Sequence, residues 1–142
     1  MRPHMPNRFR VDPWLAADSI ALGDFPLCAV RLNDDARFPW LVLIPRRSGL
    51  VEIIDLPAPD RAQLMEEIAR ASDALKSTTH CHKLNVAALG NVVHQLHVHV
   101  IARFADDAAG ANAVWGQGAR VPYQAAARDA LAEKLRRGLG FA

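Results

Sequence analysis

From Leu96 apolar and polar residues alternate through His97, Val98, His99 and Val100, and the run closes on Ile101. A period of two marks a β-strand, whose side chains point to opposite faces in turn. Such a strand carries Leu96, Val98 and Val100 toward a core and Gln95, His97, His99 and Ile101 toward the other face. His94, an odd number of residues from the pair, falls with the apolar set. The chain is therefore committed to a sheet in which one strand buries aliphatic residues on one side and holds two imidazoles side by side on the other.

Two imidazoles two residues apart on one strand face can share a bound group. Histidine titrates near neutral pH, so either ring can serve as nucleophile, acid or base. The plainer alternative is a half-exposed strand with two solvated histidines.

The Gly90-Asn91 turn before the strand, the apolar filling between the histidines and the closing Ile101-Ala102-Arg103 resemble the histidine triad (HIT) family. The family motif is His-φ-His-φ-His-φ-φ, with φ apolar, and the chain reads Gln95-Leu96-His97-Val98-His99-Val100-Ile101. Gln95 stands where the first histidine is expected. The resemblance implies that His97 is the nucleophile, attacking the α-phosphorus of a nucleotide ester, anhydride or phosphoramidate. A nucleotidyl-histidine would form and then be hydrolysed by water. His99 would bond a phosphoryl oxygen or pass a proton to the leaving group. Gln95 can donate and accept hydrogen bonds but cannot titrate, which leaves it an orienting or phosphate-contacting role.

Asn85 and Asn91 align with polar, phosphate-contacting positions of the family, and Asn33 lies near its ribose-binding position. Each also has an ordinary turn-forming reading, especially Asn91 beside Gly90 and Asn33 beside Asp34. The resemblance covers roughly Leu27 to Arg103. It implies an α+β domain built on an antiparallel sheet of about five strands with a long central helix and a C-terminal helix. A homodimer joined edge to edge is implied as well, with a nucleotide as the small-molecule partner.

The 142 residues suit one domain over 1–142 with a core of its own. Seventeen Lys and Arg against fifteen Asp and Glu, a net charge of +2, give no strong nucleic-acid signal. No apolar run is long enough for a bilayer and no signal-peptide core follows Met1, so a cytoplasmic protein without membrane contact is expected. Cys28 and Cys81 have no paired spacing and are expected as buried thiols.

Residues 1–18, with Pro3, Pro6 and Pro13, read as an irregular arm anchored by Trp14. Ser19–Gly23 and Leu27–Leu32 read as a hairpin, and Trp40–Ile44, stopped by Pro45, as a strand buried on both faces. Ser48 stands where some branches of the family carry a histidine. A helix is expected from near Pro59, with Leu64, Met65, Ile68, Ala71, Ala74 and Leu75 on its core face. Lys83–Leu89 reads as a strand that turns at Gly90-Asn91 into the histidine strand.

The segment 104–142 reads as a long loop followed by a helix over Tyr123–Arg137 that repeats Ala127, Leu131 and Leu135 and ends at Gly138. Trp115 in the loop could stack on a base or a neighbouring subunit, or plug the core. Arg46, Arg47 and Arg103 are expected to be solvated.

No cofactor and no metal is implied. Two other classes stay open. His97 and His99 could ligate a metal with His80 or His82, although no carboxylate or thiolate partner shares their strand. Alternatively, Gln95 could mark a nucleotide sensor that has lost catalysis.

Overall fold

The computed structural model describes residues 8–141. Five strands form one antiparallel sheet: β1 (Ser19–Asp24), β2 (Cys28–Asn33), β3 (Trp40–Pro45), β4 (Lys83–Ala87) and β5 (Val98–Arg103), in the order β1-β2-β3-β5-β4. This is the α+β architecture expected. The histidine strand β5 lies between β3 and the edge strand β4, so both its hydrogen-bonding edges are used.

Helix α2 (Ala58–Thr79) and helix α3 (Ala125–Leu139) cover one face. Leu64, Ala71 and Leu75 of α2 and Leu135 and Leu139 of α3 pack there on Leu96, Val98, Val100 and Ala102. The second face carries a smaller cluster of Phe38, Trp40, Val42, Ile44 and Ile101. It is closed by loop residues Ala109 and Val114 and by Phe9, Val11 and Leu15 of the arm. No helix among the described residues is long and apolar enough to cross a membrane.

Several local expectations change. Residues 1–7 of the arm lie outside the described residues. The rest is not wholly irregular: Pro13–Ala17 form a short helix, α1, because Pro13 suits a first turn and the Asp12 side chain accepts the Trp14 backbone N–H at 2.9 Å. Trp14 is 65 % exposed and does not anchor the arm.

In α2, Met65 is exposed, while Glu67 is buried instead. The Glu67 carboxylate accepts the backbone N–H groups of Leu27 and Cys28, at 2.9 and 2.7 Å, which tie the β1–β2 turn to the helix. In α3 the buried stripe is Ala132, Leu135 and Leu139, with Leu131 partly buried and Ala127 exposed. Gly140, at φ +80°, ends this helix. Gly138 sits within it, where a Cβ would meet Ala74 and Thr78 of α2 at 3.4 Å.

The β4–β5 connection is also longer than a tight hairpin. β4 ends at Ala87 and β5 starts at Val98, leaving residues 88–97 as a loop in which Gly90 takes φ +74°. A left-handed residue there suits glycine, which has no Cβ to clash.

Candidate active site

His97 sits one residue ahead of the β5 ladder and His99 one residue inside it. Their ring centroids are 4.9 Å apart, with the rings nearly perpendicular. Both side chains are buried, on the face opposite Val98 and Val100, as the alternation requires.

The two imidazoles differ in what holds them. His97 Nδ1 lies 2.6 Å from the backbone carbonyl of Gln95. A carbonyl can only accept, so Nδ1 carries the proton and Nε2 keeps its lone pair in the neutral ring. That oxygen comes from two residues upstream in the same segment and not from a neighbouring strand.

His99 Nδ1 accepts a 2.9 Å hydrogen bond from the indole N–H of Trp40. Indole only donates, so the neutral His99 carries its proton on Nε2. This contact depends on register: Val42 pairs with His99, which sets Trp40, two residues earlier on β3, diagonally across the same face. Burial, with a smaller contribution from the neighbouring His97, pushes His99 down to about 3. It is a neutral hydrogen-bond donor at physiological pH.

Gln95, at the first position of the motif, turns its side chain away from the pair. Its Oε1 accepts the Asp12 backbone N–H and its Nε2 donates to the Arg10 carbonyl, both at 2.8 Å. The amide thus pairs with the arm as another peptide group would. Histidine orientation falls to the Gln95 main chain, while the side chain fastens the arm.

Each histidine lines its own cleft. His99 lines one of about 510 Å³ whose wall includes Asn33, Trp40, Val42, Asp35 and Trp115. The Trp115 ring meets His99 edge-on at 5.0 Å and Trp40 at 5.6 Å, at the cleft wall. His97 lines a second cleft of about 260 Å³ together with residues 51–54 and 88–90.

Asn33 therefore shares a cleft with His99 and not with His97. Asn85 does not line either cleft: its Oδ1 accepts from Arg103 Nη1 at 2.9 Å. Asn91 is exposed in the 88–97 loop, outside both linings.

Arg103, expected in solvent, is buried. Its guanidinium forks onto Asp107 at 2.7 and 3.0 Å and donates to the carbonyls of Gly110 and Asn112. Those bonds fasten the loop that carries Val114 and Trp115. Asp107 is held well below the usual carboxylate range by Arg103 first, against the cost of burial, and by the N–H groups of Phe104, Ala109 and Gly110. Arg46 donates to the carbonyls of Phe25 and Pro26, and Arg47 pairs with Asp60 at 3.2 Å.

No group of three or more His, Cys, Asp or Glu able to hold a metal is gathered among the described residues. His80 caps the end of α2, and His82 donates its backbone N–H to the carbonyl of Arg103, at the end of β5 away from His97. The third ligand required by the metal reading is thus missing from the pair.

The HIT domain family model matches residues 15–106. Among solved structures, a histidine triad protein from Bradyrhizobium japonicum is 48 % identical, over 93 % of this chain and 98 % of its own, with a TM-score of 0.91. One from Marinobacter aquaeolei is 39 % identical, over 94 % and 97 %, with a TM-score of 0.91. One from Sinorhizobium meliloti is 38 % identical, over 92 % and 96 %, with a TM-score of 0.89. No curated protein matches the sequence. The fold and these similarities define a histidine triad protein: the chain belongs to the HIT domain family.

Proposed function

We propose that the protein is a nucleotide hydrolase or nucleotidyl transferase. It acts at the α-phosphorus of a nucleoside phosphoramidate, ester or dinucleoside polyphosphate through a nucleotidyl-histidine on His97. The observation that carries this reading is the 2.6 Å contact of His97 Nδ1 with the Gln95 carbonyl, which leaves Nε2 as a free base beside an open cleft. The Nε2 lone pair forms a bond to phosphorus while the bond to the leaving group breaks. The departing atom keeps that electron pair and takes a proton from water. Water then attacks the phosphorus, the N–P bond breaks, and the water's spare proton passes to solvent. His99 donates its Nε2–H to a phosphoryl oxygen throughout, a role suited to a ring that stays neutral.

Asn33 is assigned to the sugar in the larger cleft, whose lining it shares with His99. Asn85 and Asn91 keep their proposed phosphate contacts only if substrate draws them in, Asn85 by giving up Arg103. The missing first histidine does not argue for a mere sensor here, because the group that orients His97 is a main-chain carbonyl. We also propose a homodimer joined along β4, an edge strand whose Val86 is 49 % exposed. Sedimentation as a monomer alone at micromolar concentration would overturn the dimer.

A panel of adenylyl and guanylyl phosphoramidates beside dinucleoside polyphosphates tests the reaction. A quenched reaction should yield protein heavier by one nucleoside monophosphate, acid-labile, with the mass on the peptide containing His97. Binding without turnover or adduct on every member would leave the sensor reading instead.

A further inference from the structure

The carbonyl that meets His97 belongs to a residue outside the sheet ladder, since β5 begins only at Val98. The peptide group joining Gln95 to Leu96 is planar, so the direction of its carbonyl is set by the Cα atoms at its two ends and by what its N–H meets. At one end Leu96 is buried in the core, and its N–H donates to the Leu50 carbonyl at 3.0 Å. At the other end the arm holds the Gln95 side chain.

The arm is itself seated on the sheet. Arg8 and Arg10 are exposed while Phe9 and Val11 are half-buried, and Phe9, Val11 and Leu15 pack on the cluster that contains Trp40, Val42 and Ile101. This packing presents the Arg10 carbonyl and the Asp12 N–H, on either side of Val11, to the Gln95 amide at 2.8 Å each. Asp12 is fixed in turn: its carboxylate accepts the Trp14 N–H and its carbonyl accepts the Ala16 N–H, both at 2.9 Å. The seat calls for one acceptor and one donor on the same side chain. A glutamine amide supplies both, whereas a carboxylate only accepts.

We propose that Gln95 is a positioning residue: through its clamp on Arg10 and Asp12, the arm sets the carbonyl that keeps the proton on His97 Nδ1. Its bearing on turnover rests on the reaction proposed above, in which that proton leaves Nε2 free to meet phosphorus. A segment more than 80 residues earlier in the chain thus becomes part of the nucleophile's support.

Two substitutions in the full chain test this. Gln95→Met keeps the length of the side chain and removes both hydrogen bonds. Gln95→Glu keeps an acceptor for Asp12 but sets a carboxylate oxygen against the Arg10 carbonyl. In either variant, two-bond ¹⁵N–¹H correlation at pH 7.5 should show His97 exchanging between its tautomers while His99, bonded to Trp40, stays protonated on Nε2. Turnover of a nucleoside phosphoramidate should fall by about tenfold in kcat with KM nearly unchanged, because the nucleophile is misaligned while the substrate contacts remain. Asp12→Pro removes the same N–H from the arm side, at a φ of −51° that proline accepts. It should shift His97 and kcat in the same direction, and joined to Gln95→Met it should lower kcat no further than Gln95→Met alone.

Either a His97 still locked with its proton on Nδ1 in Gln95→Met or an unchanged kcat would overturn the positioning role and leave the reaction standing. The Leu50 bond and the burial of Leu96 would then suffice to hold the carbonyl. Exchange in both rings would show a general loosening of the sheet and overturn it as well. A raised KM with kcat intact would make Gln95 a substrate-binding side chain instead. No turnover and no adduct with the native protein would remove the reaction, and the His97 tautomer in Gln95→Met would still decide whether the arm positions the ring.

Discussion

His97 and His99 occupy one face of one segment with their rings 4.9 Å apart, yet the fold treats them oppositely. A carbonyl meets Nδ1 of the first, and an indole N–H meets Nδ1 of the second. The first ring is thereby left with a lone pair on Nε2 and the second with a proton there. In the proposed reaction the same residue type serves as nucleophile in one place and as neutral donor in the other. What distinguishes them is a partner atom that neither histidine's own sequence position reveals.

The largest expected effect comes from removing the lone pair. His97→Ala should lower kcat/KM by at least about a thousandfold on every nucleotide the native protein cleaves, with no adduct trapped. Wild-type turnover by this variant would end the division of roles.

Next comes the support of the His99 side. Asp107→Ala leaves the buried Arg103 guanidinium without its carboxylate, and losing one partner of such a pair costs about 3 kcal/mol of stability by denaturant titration. The damage should centre on the loop carrying Trp115, and the Gln95–His97 contact should survive. A stability unchanged within error would mean that Arg103 has another adequate partner.

His99→Ala should slow turnover by about a hundredfold while still allowing the adduct to form, because one preorganised donor is lost but the nucleophile is intact. If the adduct disappears with His99, the nucleophile has been assigned to the wrong ring.

The smallest effect is on stability against pH. His99 is pushed down to about 3 in the folded chain from an ordinary 6.5. The unfolded chain takes up a proton there as pH falls below about 6.5 and the folded chain does not, so stability declines between those values and levels off below them. The Tm should therefore fall by a few degrees from pH 7.5 to 5, above the range where most carboxylates titrate. His99→Phe should show a flatter profile, and an identical slope in both proteins would show that His99 is not the group responsible.

The face of each β5 residue was legible in the sequence because alternation is a local property. Helix α2 was legible for the same reason, apart from Met65 and Glu67. Their exchange depends on the β1–β2 turn, about 40 residues upstream, supplying two N–H groups to a buried carboxylate. Gln95 misled more: its side chain meets Arg10 and Asp12, more than 80 residues away in sequence, and nothing near it announces that pairing. Trp40 was readable as a buried strand residue, but its bond to His99 needs the β3–β5 register. A signal for Arg103 did exist. Asp107 follows four residues later, and a buried tryptophan or arginine requires a partner for its N–H groups.

The opposite tautomers are open to direct observation by two-bond ¹⁵N–¹H correlation on the ligand-free protein at pH 7.5. The expected spectrum shows His97 protonated on Nδ1 with an unprotonated Nε2, and His99 protonated on Nε2 with an unprotonated Nδ1. If both rings carry the proton on the same nitrogen, or His97 carries it on Nε2, the division of labour between the two histidines is contradicted.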